Sequence, residues 1–590
     1  MTTKRPSGDQ ERADEPTSRR DFLKLGGLTA AGFVAGGAVG AAAGASIGHT
    51  VGYREGTSDL PALPARIEPG FDHVVVLMGE NRSFDNLLGW LYTPQTLPTG
   101  ESFDGLAFGD YANTDDTGLT VAAHVYTGAT DAVMGSPDPD PGEEYPFVNT
   151  QLFETVDPPS NASAALDALR TPFNAPPAGA AATMGGFLQD YRSNYRRLED
   201  GRAPGDAEVG QIMGGFSPEQ LPVLSTLARE FAVFDAWFCA VPSQTYCNRS
   251  FFHASTSHGF VTNLGGRGYR KWLDAPAAPT LFDRLEEAGL SWKVYFDERQ
   301  LVSLTGVLHA PALEKYWRTD HFVHMSDFYA DARNGALPAY AFIEPRMIYD
   351  HNDFHPPFGV FQASEVGGEL MLDSAVSDVR AGEKLVADVY DAIRTSADTT
   401  GSNASNTLLL ITFDEHGGTY DHVPPPAAVP PEAQDAEPGE MGFRFDRLGV
   451  RVPAIAVSAY TRAGTIIHDE LHHGAVIATL SRLHGLQPLT RRDASARDLF
   501  SVVNLDAPRE PGTWPIVHPM WVPPNTDEDE LADLENGPHK DKPLSPPARG
   551  LLGLLIAKYG RPGEPDPRTY ADAYRVLRAH GLGLFYPKRP

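Results

Sequence analysis

Apolar residues fall along this chain in short unbroken runs rather than in alternation. Val74-Val75-Val76-Leu77-Met78 is the first, and comparable runs recur at Lys293–Phe296, Ala339–Ile343, Leu408–Phe413 and Pro453–Ser458. Successive apolar positions leave no polar face, so these segments predict strands buried on both sides, as in a parallel sheet. Between them the period changes. Leu385, Val386, Val389, Tyr390 and Ile393 share one face of a helix, and Val476, Ile477, Leu480 and Leu483 do likewise. Strands of this kind alternating with amphipathic helices predict an α/β fold, a mostly parallel sheet covered by helices on both faces. Residues 97–180, rich in Asp, Pro, Gly and Ala, break the rhythm and read as long insertions that shape a cleft above the sheet. Residues 423–440, with Pro424-Pro425-Pro426, form a second extended loop. Past about residue 506 the chain turns Pro-rich, then crosses a solvated acidic run at Thr526–Glu535 that lacks calcium-loop spacing. It ends in helical stretches around Arg549–Tyr559 and Tyr570–His580.

The longest charge-free segment, Leu25–Gly48, follows Ser18-Arg19-Arg20-Asp21-Phe22-Leu23-Lys24. Paired arginines before a Gly/Ala-rich, moderately apolar stretch are the pattern of a bacterial twin-arginine export signal, and the stretch is too poor in large apolar residues for a membrane span. Ala43-Gly44-Ala45 offers a cleavage site before Ser46. The expected organisation is a signal segment (1–45), a linker (46–70), a catalytic domain (71–505) and a Pro-rich, helical C-terminal extension (506–590). The twin-arginine machinery would carry the folded protein out of the cytoplasm, to the periplasm, cell wall or medium.

Composition narrows the chemistry. The chain has 590 residues, 41% of them hydrophobic, enough for a full core. Its 48 basic against 77 acidic residues give a net charge of −29, which excludes nucleic-acid binding through bulk positive charge. An anionic substrate would need local cations to overcome that field. Cys239 and Cys247 are too few for a disulfide framework or a four-cysteine zinc site; an exported protein permits a bridge between them, which their spacing does not decide.

Ligands of open α/β sheets bind beyond the carboxyl ends of the strands, so the residues after each apolar run carry most of the information. The first run is followed by Gly79-Glu80-Asn81-Arg82-Ser83-Phe84-Asp85, the fourth by Asp414-Glu415-His416-Gly417-Gly418-Thr419-Tyr420-Asp421-His422. Glu80, Asn81, Asp414 and Glu415 thus meet at one edge. Three carboxylates there repel one another unless a cation sits among them, and an oxygen-rich set suits Ca²⁺, Mg²⁺ or Mn²⁺; His416 and His422 leave Zn²⁺ open. The same residue types also serve as helix caps and surface acids.

Together with Pro242-Ser243-Gln244-Thr245-Tyr246-Cys247-Asn248-Arg249, Phe342-Ile343-Glu344-Pro345-Arg346 and Asn352-Asp353-Phe354-His355-Pro356-Pro357, these segments resemble the bacterial phosphoesterase family. That family includes phosphatidylcholine-type phospholipases C, plant non-specific phospholipases C and metal-dependent acid phosphatases. The resemblance runs from about His73 to Leu505 and implies an alkaline-phosphatase-like three-layer α/β/α sandwich that hydrolyses phosphoric esters. It further implies one divalent metal held by Glu80, Asn81, Asp414, Glu415 and Thr245, with Thr245 as nucleophile and His355 as a catalytic histidine near the phosphate or leaving group. Asn248, Arg249, His416, His422 and His473 would lie around the substrate, and Arg82 or Arg249 could clamp phosphate oxygens.

The chain departs from relatives in places. Cys247 stands where they commonly have proline, and Pro141-Gly142-Glu143-Glu144 replaces a segment in which they tend to carry histidine. The motifs imply phospholipase C-type cleavage of a phospholipid, at a membrane surface, or of a related phosphodiester. They leave an acid phosphatase acting on phosphomonoesters as the alternative within the class, and a non-catalytic secreted metal-binding protein as the alternative outside it. His468-Asp469-Glu470-Leu471-His472 only approaches the metalloprotease pattern, its glutamate displaced by one position.

Overall fold

The computed structural model describes residues 63, 66 and 68–585, apart from 129–132, 165–167, 199–200, 265–267, 349–350, 358–362, 367–368, 373–377, 434–436, 521–539 and 542–543. The expected twin-arginine signal, most of the linker and the acidic run at 526–535 lie outside the described residues. Everything below belongs to one unit, Ser58–Pro590.

Eight strands form the central sheet: β1 (His73–Gly79), β2 (Ala232–Phe234), β3 (Trp292–Phe296), β4 (Phe322–His324), β5 (Tyr340–Glu344), β6 (Thr407–Phe413), β7 (Ala454–Val457) and β8 (Thr465–Ile467). Their order is β8-β2-β7-β6-β1-β5-β3-β4. Every pairing is parallel except those of β7, which runs against both β6 and β2. Each expected apolar run supplies one of these strands. The central β6 is buried at all seven positions, as a strand covered on both faces must be.

The helices used below are α1 (Phe84–Leu87), α2 (Tyr145–Phe153), α3 (Phe187–Leu198), α4 (Pro222–Glu230), α5 (Thr245–Ala254), α6 (Val379–Arg394), α7 (Gly474–His484), α8 (Pro546–Tyr559) and α9 (Tyr570–Val576). Register shows which face each covers. Phe342 of β5 pairs with Val76, which pairs with Leu410 of β6, so these three point the same way, and Phe413 points the other. Phe342 meets Phe252 of α5. Phe413 meets Phe354, against which Gly382 of α6 packs. With α5 and α7 packed together on one face, and α4 and α6 on the other, the molecule is a three-layer α/β/α sandwich. Among the described residues no helix is long and apolar enough to cross a membrane.

The insertion at 97–180 is more ordered than its composition implies. It contains a hairpin of Ala112–Thr114 and Thr120–Ala122, and the helix α2. Pro146 lies in the first turn of α2, where its missing N–H costs nothing. Eight of the nine residues of α2 are buried, so the helix has no polar face to reveal it. The C-terminal helices α8 and α9 form near the expected positions, and α8 is part of the main hydrophobic core.

Candidate active site

At the carboxyl ends of β1 and β6 two loops are laced together through their main chains. Asp414 N donates to Gly79 O at 3.1 Å, Arg82 N to Glu415 O at 3.0 Å, and Glu80 N reaches Asp353 O at 2.7 Å in the segment after β5. Asn81 adopts a left-handed backbone (φ 56°), which asparagine tolerates better than most residues, and its N–H donates to Asp414 Oδ1 at 3.1 Å. The paired glycines that follow His416 let the loops close. A Cβ on Gly417 would stand 2.2 Å from Asn81 O, and one on Gly418 would stand 2.4 Å from Gly142 O.

This lacing gathers Glu80, Asn81, Asp414 and Glu415 with Thr245, the first residue of α5, all of them fully shielded from solvent at 0% exposure. Thr245 Oγ1 donates to Glu80 Oε2 at 3.2 Å. Arg249, one turn along α5, pairs with the other oxygen of Glu80 and lies 3.6 Å from Asp414 Oδ2. Three oxygens remain buried without a hydrogen-bond partner: Asn81 Oδ1, Asp414 Oδ2 and Glu415 Oε1. Burial pushes the Glu80 carboxyl well above the usual range, against the pull of Arg249 and with a push from Asp414; burial, then Glu143 and Asp414, does the same to Glu415. Orphaned, desolvated oxygens converging in this way are the donor set of a hard divalent cation, and the residues fit one.

Glu143, where the sequence departs from relatives, is part of the same cluster. Its carboxylate accepts from Asn81 Nδ2 and, at 3.0 Å, from the Nε2 of Gln244, which caps α5. With Asp140 and His355 it forms a group whose ligand atoms lie within 4.8 Å of one another. Sequence reading flagged Glu143 as a departure without placing it in the site and passed over Asp140; the available signal was three carboxyls among the prolines and glycine of residues 138–143.

The other expected residues have partners of their own. Asn248, expected at the substrate, is spent on the turn before α5: it donates to Ser243 O at 2.7 Å and accepts from Val241 N at 3.0 Å. Arg82 is no free clamp, since it donates to Phe354 O at 2.7 Å and to Asn86 Oδ1 at 3.1 Å. His473 lies beneath the site, with Nε2 2.6 Å from Asp414 O, and so positions that strand end. His422 belongs to a separate ionic network. It bonds Asp85 at 2.6 Å and Asp104 at 3.0 Å, next to Arg451, which pairs with Asp85 at 3.0 Å and Asp421 at 2.9 Å. Asp85, Asp421 and His422 also have metal-ligand spacing, but Arg451 already supplies their counter-charge.

His416 stays close, with Nδ1 3.3 Å from Glu415 Oε2 and Nε2 fixed by Gln151 Oε1 at 2.8 Å. His355 reaches Asn81 Nδ2 at 3.1 Å. Its Nδ1 donates to Pro356 O at 2.7 Å, which leaves the lone pair on Nε2. Burial lowers its pKa to about 4, which keeps the imidazole neutral near pH 7. Cys239 and Cys247 are buried free thiols.

Comparison with known proteins adds a second line of evidence. The model of the Phosphoesterase family matches residues 71–487. Non-specific phospholipase C1 of Arabidopsis thaliana is 32% identical over 463 residues, spanning 76% of this chain and 74% of that protein. Non-specific phospholipase C6 of the same plant is 32% identical over 483 residues, 78% of each chain. Phospholipase C B of Mycobacterium tuberculosis is 27% identical over 486 residues, 76% of this chain and 80% of that one. Among solved structures, a protein of the alkaline phosphatase superfamily from Vibrio parahaemolyticus superposes with a TM-score of 0.29 and 12% identity, over 47% of this chain and 63% of the other.

Proposed function

Because the chain belongs to the Phosphoesterase family and is a phosphoric ester hydrolase, we propose that it cleaves a phospholipid or related phosphodiester in the manner of a phospholipase C, with Thr245 as its nucleophile. The carrying observation is the Thr245 hydroxyl bonded to Glu80, beside the orphaned oxygens of Asn81, Asp414 and Glu415. Thr245, Glu80, Asn81, Asp414 and Glu415 would hold a divalent ion, which supplies Lewis-acid activation of a hydroxyl and offsets phosphate charge.

The protein groups account for the remaining steps. Glu80 Oε2 is placed to take the proton of Thr245 Oγ1 as that oxygen attacks phosphorus. The new O–P bond forms as the bond to the leaving oxygen breaks, that oxygen taking a proton from water to depart as the alcohol, which gives an ester of phosphothreonine that a further water hydrolyses. Thr245 opens a ten-residue helix, so the phosphoryl group meets the positive end of the helix dipole. Arg249 keeps Nε and Nη1 uncommitted to any hydrogen bond, close to the developing charge. The rival hydroxyl of Ser243 donates instead to Val261 O, away from Glu80.

Export by the twin-arginine route belongs to the same reading, since that route carries folded proteins and this site is assembled from segments far apart in sequence. The test of function is a panel of phosphatidylcholine, phosphatidylglycerol, a glycerophosphodiester and a phosphomonoester, each with and without chelator. Chelator-sensitive release of diacylglycerol from the phospholipids supports the proposal. Turnover of the monoester alone reassigns the chain as a phosphatase, and turnover of none of them favours a non-catalytic metal-binding protein.

A further inference from the structure

We infer that Asp140, Glu143 and His355 hold a second divalent cation beside the one proposed at Glu80, Asn81, Asp414 and Glu415; the inference deepens that reading and rests on it. The three residues come from two segments distant in sequence, yet one ligand atom of each lies within 4.8 Å of the others, and all three side chains are buried. Asp140 Oδ1 has no hydrogen-bond partner although Asp140 is only 5% exposed. A lone buried carboxylate oxygen is costly unless a cation meets it.

The surroundings are built to hold these groups still. Tyr191 Oη donates to Pro139 O at 2.8 Å, Asn194 Nδ2 to Asp140 O at 2.8 Å and Gln151 Nε2 to Gly142 O at 2.6 Å, so the loop is pinned through its carbonyls while its carboxylates point elsewhere. His355 is oriented as a neutral ligand by the bond from its Nδ1 to Pro356 O. Its Nε2 now accepts from Asn81 Nδ2, which also donates to Glu143. An ion would take over the Nε2 lone pair, and Asn81 would keep its bond to Glu143.

Charge balance points the same way. Six buried carboxyls, Glu80, Asp140, Glu143, Asp353, Asp414 and Glu415, face two buried guanidiniums, Arg82 and Arg249. Fully ionised, the group carries four excess negative charges. One divalent ion leaves an excess of about two, which repels an anionic ester, and a second ion brings the site to neutrality. Two carboxylates with one imidazole form a mixed oxygen–nitrogen set that suits Mn²⁺ or Zn²⁺ better than Ca²⁺.

The test uses the full chain, stripped with chelator and reloaded with Mn²⁺. Bound metal is counted by mass spectrometry, and coupling between ions is read by electron paramagnetic resonance, for wild type, Asp140→Asn and Asp414→Asn. Thermal melts followed by circular dichroism confirm folding. The expected result is about two Mn²⁺ per wild-type chain with a coupled spectrum, falling to about one, uncoupled, in each variant. A single ion that Asp140→Asn retains and Asp414→Asn loses overturns the second site and leaves the hydrolase reading intact. A single ion lost in both variants means one shared centre and also overturns it. No ion on the wild type overturns both readings. Should Asp140→Asn fail to fold, Glu143→Gln replaces it and the wild-type spectrum decides.

Discussion

At Thr245 the hydroxyl donates to Glu80 Oε2, whereas Ser243, two residues earlier, donates to Val261 O. Sequence periodicity treats the two as equivalent, because residues two apart in an extended segment share a side. The segment is instead a turn that enters a helix, with Gln244 as its cap. Thr245→Ala should therefore lower turnover by at least ~10³-fold, and Thr245→Ser should retain substantial activity. Ser243→Ala should keep turnover within about tenfold yet lose about 1 kcal/mol of stability, as expected for a buried hydrogen bond. Phosphate trapped on a peptide at Ser243, with none on Thr245, would reverse the assignment. A second residue-scale prediction concerns His422. Burial opposes its charge, but hydrogen bonds to Asp104 and Asp85 outweigh that and push its pKa up to about 9. A raised folded pKa means the stabilisation is fully present below the ordinary value of 6.5 and is lost as pH rises through about 9. Denaturant midpoints should fall over that window in the wild type, with a shallower fall in His422→Gln. Equal slopes would show that the imidazolium does not matter to the fold.

Among elements, the long central strands were legible because being buried on both faces leaves an unbroken apolar run. β2, β4 and β8 were not, since three residues are too few to show a period and their neighbours supply the pairing. The reversed direction of β7 leaves no trace in composition, because an apolar segment reads the same in either sense. The clustering of Glu80, Asn81, Asp414 and Glu415 after β1 and β6 was legible through a positional rule, that strand ends carry the chemistry. Glu143 and Asp140 were not, because they follow no strand of the sheet and reach the site only through the pinning of their loop on α2 and α3. The contact of α8 with α5 is likewise invisible before folding. Gly550 of α8 lies so close to Tyr246 that a Cβ there would stand 2.3 Å from the phenol oxygen. Gly550→Val should thus displace Tyr246, the neighbour of Thr245. The expected cost is about 1–3 kcal/mol of stability from overpacking, with a fall in kcat and unchanged metal content. Loss of metal in this variant would mean that the disturbance extends beyond α5.

For the whole molecule, the net charge of −29 and the buried acids of the site pose one electrostatic problem, which cations held there would relieve locally. The proposed export adds a constraint of its own. Replacing Arg19 and Arg20 together by lysine should leave precursor in the cytoplasm, as fractionation and immunoblotting would show; normal secretion of the double variant would point to an ordinary signal or an anchor. The packing of α8 bears on when the protein becomes competent. Tyr246 Oη donates to Pro547 O, 301 positions further along the chain. A ribosome must therefore translate past α8, and the exit tunnel must release it, before the helix that begins at Thr245 gains its last neighbour. Until then the nascent chain carries Thr245, the proposed nucleophile, on an unfinished support, and its working life begins only once synthesis is nearly over.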